Sequence, residues 1–223
     1  MPVGSLGQIA SVNILFDLDG TLTDPRDGIV RCIQYALDKL GLPPRSEADL
    51  LHCIGPPLRE SFAELLGTPD CAKLDHAINI YRERYSTIGL FENEVYAGIP
   101  EALCALSARG DALFVATSKP EIYAQQILEH FGLATYFRHV WGCELNGTRA
   151  DKGELIAHLL DQEKLRPLDT VMIGDRLHDA VGARANGVFP IGVLWGYGDE
   201  AELIAAQCKM LVRAPEELSR LVV

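Results

Sequence analysis

Four short apolar runs, at 112–116, 139–141, 170–173 and 190–194, are each followed by a helix-forming stretch, at 121–131, 152–160, 177–186 and 200–207. This alternation limits the fold more than any other feature, because parallel strands need a crossover and a helix is the usual one. A fifth run, at 12–16, reads as a buried strand that leaves its sheet through a turn needing glycine, Asp17-Leu18-Asp19-Gly20. Between it and the other four the apolar residues recur with helical period. Asp24 and Pro25 read as N-cap and first helical turn, and Ile29, Ile33, Leu37 and Leu40 share a face until Gly41. Leu74, Ile78, Tyr81, Tyr85 and Ile88 repeat the pattern up to Gly89. The expectation is an α/β protein whose sheet-forming core, residues 1–23 and 97–223, is split by an all-helical unit, residues 24–96. The crossings at Thr23-Asp24 and at 94–98 are the predicted hinges between the two.

With 48% hydrophobic and 23% charged residues over 223 positions, the chain has the means to bury a core and is neither disordered nor collagen-like. Lys and Arg number 20 against 31 Asp and Glu, a formal charge of −11, which disfavours nucleic-acid polymers and anionic membranes as partners. A small anionic ligand then needs a metal ion, a lysine or a helix N-terminus to reverse the local potential. Cys32, Cys53, Cys71, Cys104, Cys143 and Cys208 form no C-x-x-C pair and read as buried or half-buried thiols of a reducing compartment. Residues 1–13 lack the pattern of a secretory leader, and no apolar run reaches membrane-spanning length, so a cytoplasmic location is expected.

Ligands of an open parallel sheet bind beyond the carboxyl ends of its strands, where this sequence is polar: Asp17 and Asp19, then Thr117-Ser118-Lys119, then Gly174-Asp175 with Asp179. If the pleat persists, Asp17 and Asp19 point the same way and repel unless a cation intervenes or one is protonated. Asp175 adds a third carboxylate, and an all-oxygen ligand set selects a hard ion such as Mg²⁺. The competing reading makes each aspartate a helix N-cap. A carboxylate beside Mg²⁺ is a competent nucleophile towards phosphorus, and a second one near the leaving oxygen can donate and recover a proton. The Thr117 hydroxyl and the Lys152 ammonium would hold non-bridging phosphate oxygens, unless Lys152 is a solvated surface residue.

Phe16-Asp17-Leu18-Asp19-Gly20-Thr21-Leu22-Thr23 resembles the first signature of the haloacid dehalogenase superfamily, in its phosphatase form with two aspartates. Ala116-Thr117-Ser118-Lys119 resembles the second, Lys152 the third and Ile173-Gly174-Asp175-Arg176-Leu177-His178-Asp179 the fourth. The resemblance implies a Rossmann-like core with a helical cap, Asp17 as the residue phosphorylated and Asp19 as acid/base. It further implies Mg²⁺ on the Asp17 carboxylate, the Asp19 backbone carbonyl and Asp175, with Asp179 acting through water or orienting the ligands. Thr117, Ser118 and Lys152 would bind the phosphoryl group. Arg176 is read as facing the substrate or pairing with an acidic neighbour, and His178 as a packing or surface residue.

Substrate choice should fall to the cap, since the core would recognise only the phosphoryl group. Ile54-Gly55-Pro56-Pro57-Leu58-Arg59 resembles the cap loop of the phosphoglycolate phosphatase and 5′-nucleotidase branch. Arg59 then binds a substrate carboxylate or phosphate, or is a helix-surface arginine. Trp195 and Tyr197, in the run 192–198 that also resembles this branch, suggest base stacking but equally core packing. The expected activity is Mg²⁺-dependent hydrolysis of a small phosphorylated metabolite, phosphoglycolate or a nucleoside 5′-monophosphate, by a monomer or homodimer. The alternatives are a phosphomutase on sugar phosphates and a non-catalytic sensor of phosphorylated ligands.

Overall fold

The computed structural model describes residues 11–220. The leader reading for residues 1–10 and the outer ends of the predicted core segments therefore lie outside the described residues. Strand β1 (Asn13–Phe16) passes through the acidic turn to β2 (Thr23–Asp24), followed by α1 (Arg26–Lys39), α2 (Leu58–Leu66) and α3 (Cys71–Arg84). A π-helical turn (Tyr85–Gly89) ends α3 and leads to β3 (Glu94–Val95) and α4 (Ile99–Arg109). Strands β4 (Ala112–Pro120), β5 (His139–Cys143), β6 (Thr170–Gly174), β7 (Phe189–Val193) and β8 (Met210–Val212) follow. They alternate with α5 (Glu121–His130), α6 (Lys152–Glu163), α7 (Leu177–Ala185) and α8 (Glu200–Ala205).

Six strands form one parallel sheet in the order β5-β4-β1-β6-β7-β8. Period-2 alternation sends Ile14, Phe16, Leu113, Val115, Val171 and Ile173 to one face, with Leu103 and Leu106 of α4 and Ile127 and Leu128 of α5. Leu15, Phe114, Ala116 and Met172 go to the other, against Leu155, Ile156 and Leu159 of α6. Both faces are covered, which is why the strands read as unbroken apolar runs rather than alternating ones. Phe16 and Leu15 are fully buried, and truncating such a side chain to alanine costs about 2–5 kcal/mol. The chain leaves β1 towards β4 on one side and leaves β6 towards β7 on the other. That reversal opens a crevice between the carboxyl ends of β1 and β6, where ligands of doubly wound sheets sit.

Both predicted crossings meet in a second, two-stranded sheet: β2 pairs antiparallel with β3, Thr23 opposite Val95 and Asp24 opposite Glu94. Everything between them is helix or loop.

Several expectations need correction. Strand β4 extends past residue 116 to Pro120, with a register slip against β5 between Thr117 and Pro120, so Thr117-Ser118-Lys119 lies in the strand's irregular end. Asp24 belongs to β2 rather than capping α1; its carboxylate accepts the Arg26 N–H at 3.0 Å, while Pro25 occupies the cap position. Ile88 is 53% exposed, because the π-turn inserts an extra residue and rotates the apolar stripe away from the core. Cys71 and Cys104 are exposed rather than buried, on helix faces turned to solvent; all six cysteines are free thiols. Strand β8 and helix α4 had no counterpart among the expected elements.

Candidate active site

Carboxylates from three places converge at the crevice. Asp17 follows β1, Asp175 follows β6, and Asp179 sits in the first turn of α7; one oxygen of each lies within 4.8 Å of the others, and all three are buried. The local backbone enforces this closeness. Gly20 holds a positive φ of 81°, and a Cβ there or at Gly196 would overlap the Asp175 carboxylate, as one at Gly174 would overlap that of Asp179. Asp175 is fixed from two sides, by the Tyr197 N–H at 2.7 Å and by the Thr21 hydroxyl at 3.3 Å. Asp179 accepts the Arg176 N–H at 3.1 Å.

Lys152 is the counter-charge. Its ammonium lies 2.9 Å from Asp17 and 2.8 Å from Asp179, and it donates to the Ala116 carbonyl at 2.8 Å. It opens α6 behind Asp151, whose carboxylate accepts the Glu154 N–H at 2.9 Å. At 4% exposure the solvated-lysine reading does not hold.

The Asp19 carboxylate does not join the cluster, contrary to the expectation that it points with Asp17. The chain turns at Leu18, so the pleat does not persist, and Oδ2 of Asp19 lies 2.8 Å from the Lys119 ammonium. Its Oδ1 is buried without a hydrogen-bond partner. Lys119 also contacts the Tyr85 hydroxyl, a group from the π-turn of the helical insertion. Thr117 is buried, its hydroxyl oxygen 3.3 Å from the Lys119 N–H.

Four buried carboxylates (Asp17, Asp19, Asp175, Asp179) and two buried ammoniums (Lys119, Lys152) leave two negative charges uncompensated. Burial pushes the Asp175 carboxyl well up, and repulsion from Asp179 and Asp17 adds to it. Burial likewise raises Asp179 to about 6 although Lys152 opposes it, and raises Asp19 against the pull of Lys119. Burial alone would lower both lysines, but their carboxylate partners outweigh it and keep them charged. A divalent cation on Asp17, Asp175 and Asp179 would balance this charge, and three carboxylate oxygens without nitrogen or sulfur suit a hard ion. The residues present therefore fit such an ion.

A cavity of about 490 Å³ opens above Asp17 and Asp19. Thr117 and Ser118 line its floor, Tyr123 one side, and the helical insertion closes it with Pro56, Arg59, Ile78, Tyr81 and Tyr85. Tyr81 and Tyr85 stack at 5.0 Å between ring centroids, and Tyr123 meets Tyr85 edge-on at 5.6 Å. Arg59 reaches this cavity while paired with Asp75.

The remaining sequence candidates fall outside the cluster. Arg176 pairs with Glu202 at 2.9 Å and donates to the Ile54 carbonyl of the insertion at 2.6 Å. His178 lines a smaller neighbouring cavity of about 280 Å³, and burial lowers its imidazole. Trp195 donates to the Thr21 carbonyl at 3.0 Å and Tyr197 bonds Asp24, so both serve the core rather than a stacked base. The sequence alone assigns no role to Lys119 or Tyr85. Lys119 was visible as a polar residue at a strand end; Tyr85 looked like one more apolar position on a helix.

A family model described as haloacid dehalogenase-like hydrolase matches residues 14–193. A 5′-nucleotidase of Pseudomonas aeruginosa is 53% identical over 195 residues, 87% of this chain and 88% of the relative. The tyrosine-protein kinase PtkA of Mycobacterium tuberculosis is 42% identical over 186 residues, 83% of this chain but 62% of that longer protein. Among solved structures, a predicted phosphatase from Clostridium acetobutylicum superimposes with a TM-score of 0.91 at 39% identity, covering 95% of this chain and 98% of that one. Among the described residues no helix is long and apolar enough to cross a membrane.

Proposed function

The chain belongs to the haloacid dehalogenase-like hydrolase family, and on that premise we propose that it is a Mg²⁺-dependent phosphatase of nucleoside 5′-monophosphates. The observation that carries this reading is the division of labour among the carboxylates: three share a buried cluster, while Asp19 lies outside it, lining the cavity and paired with Lys119. Asp17 attacks phosphorus and takes the phosphoryl group as an aspartyl-phosphate, and Asp19 gives its proton to the departing ester oxygen. Asp19 then withdraws a proton from the water that attacks the aspartyl-phosphate, which releases inorganic phosphate and regenerates both carboxyl groups. The Thr117 hydroxyl, the Ser118 side chain and the Lys152 ammonium hold the non-bridging oxygens. Asp17, the Asp19 backbone carbonyl, Asp175 and Asp179 would hold the ion, which when bound shields the anionic nucleophile from the anionic ester.

Residues 24–96 act as the cap that selects the leaving group. A cavity of about 490 Å³ is larger than phosphoglycolate needs and suits a nucleoside, whose base would stack on the half-buried Tyr123. Arg59, which lines that cavity, would meet a polar group of the substrate.

A panel of phosphate esters with and without Mg²⁺ tests the reading. Phosphate release from nucleoside monophosphates, faster than from phosphoglycolate and abolished by EDTA, is the expected result. Isomerised sugar phosphate without free phosphate would mean a mutase, and transfer to a tyrosyl peptide would make tyrosine the acceptor in place of water. Tight binding of phosphate analogues with no turnover would leave a sensor.

A further inference from the structure

Among the described residues, Tyr85 is the side chain of the helical insertion whose hydroxyl contacts Lys119, the cation paired with Asp19. Its hydroxyl contacts the Lys119 ammonium, which lies 2.8 Å from Asp19 Oδ2 and 4.8 Å from the Tyr85 ring centroid. All three residues are buried. The ring cannot swing away freely, being stacked on Tyr81 and abutted by Tyr123, and its backbone belongs to the π-turn. A π-turn interrupts the regular α-helical hydrogen-bond ladder and is frequent at functional sites.

Resting on the phosphatase reading above, we propose that Tyr85 is a positioning residue: it fixes Lys119 against Asp19 Oδ2 and so holds the Asp19 carboxyl in the one orientation from which it can protonate the leaving oxygen of the ester. Asp19 is then correctly aimed only while the insertion is seated on the core, which ties proton donation to closure over a substrate. Lys119 carries the effect; Tyr85 need not touch the reacting atoms.

The test exploits the leaving group. An alkyl alkoxide, as in a nucleoside 5′-monophosphate, departs only with a proton, whereas p-nitrophenolate scarcely needs one. General-acid assistance is worth roughly 10²–10⁴-fold, and misplacing the acid forfeits part of that. Tyr85→Phe, which keeps the ring and its stacking, is expected to lower kcat/KM on the nucleotide about 10-fold and to leave p-nitrophenyl phosphate nearly unchanged. In a Lys119→Met background the same substitution should add nothing, since the two act as one unit. Equal losses on both esters, or additive losses in the double variant, would overturn the proposal while leaving the phosphatase reading intact. Absence of ester turnover by the unaltered protein would overturn both. Should Tyr85→Phe fail to fold, Lys119→Met alone must show the same dependence on leaving group, and a uniform loss there would also overturn it.

Discussion

The two walls of the cavity are built on opposite principles. The sheet wall is closely packed charge: Asp17, Asp175, Asp179 and Lys152, each at most 4% exposed, held by glycines that leave no room for another arrangement. The helical wall is aromatic and partly open, with Tyr81, Tyr85 and Ile78 beside an Arg59–Asp75 pair whose side chains are 43% and 57% exposed. A buried charge cluster tolerates almost no displacement, because each unpaired member costs several kcal/mol. The exposed rim of the helical wall, where Arg59 and Asp75 sit, can be rebuilt one residue at a time. Reaction chemistry on the first wall and selectivity on the second is the arrangement this contrast favours.

The contrast can be broken or sharpened by substitution, beginning with the largest effect. Asp17→Asn is expected to reduce phosphate release by at least about 10³-fold, with an unchanged circular dichroism spectrum; residual turnover near the native rate would remove Asp17 from the nucleophile's place. Lys152→Met strands Asp17 and Asp179, so thermal unfolding in EDTA should show a loss of about 3–5 kcal/mol, part of it recovered on adding a divalent ion. Arg59→Ala should scarcely move the melting temperature, since exposed ion pairs contribute little, yet raise KM for a nucleotide roughly 10-fold through a lost charged hydrogen bond. Reversal of these last two outcomes would mean that the walls have been assigned the wrong way round.

The smallest expected effect concerns pH. Burial, opposed by Lys152 and reinforced by Asp17, raises the Asp179 carboxyl from 3.8 to about 6. Between those values the metal-free folded chain binds more protons than the unfolded one, so this group's stabilising contribution is complete below pH 3.8 and is lost as pH rises through about 6. Melting temperatures in EDTA should therefore fall across that window by a few degrees more in the native protein than in Asp179→Asn, at about 2–4 °C per kcal/mol. A parallel pH dependence in the two proteins would contradict the raised carboxyl.

How much of this was readable beforehand follows the same divide. The apolar runs ending in Asp17 and in Gly174-Asp175 stand out because strand burial and the polar turn that follows are local, and Lys152 was recoverable from its place at a helix start. The direction of Asp19 was not, since it depends on Lys119, a hundred residues later. Tyr85 gave no sign of its hydroxyl's partner, because a tyrosine in an apolar stripe looks the same whether its oxygen meets water or a buried ammonium. The three-residue β8 escaped notice because it needed β7 to template it. Position in the chain announces charge; only packing decides which way it faces.

The ribbon of β2 and β3 has a wider consequence. Chain exit and re-entry lie side by side, one strand spacing of about 4.8 Å apart. The six-stranded sheet is thus complete without any strand from the stretch between Asp24 and Glu94. Such a doorway lets the scaffold accept modules of different length, so that new specificities can arise by exchanging one cassette, provided the newcomer again supplies what Tyr85 gives Lys119.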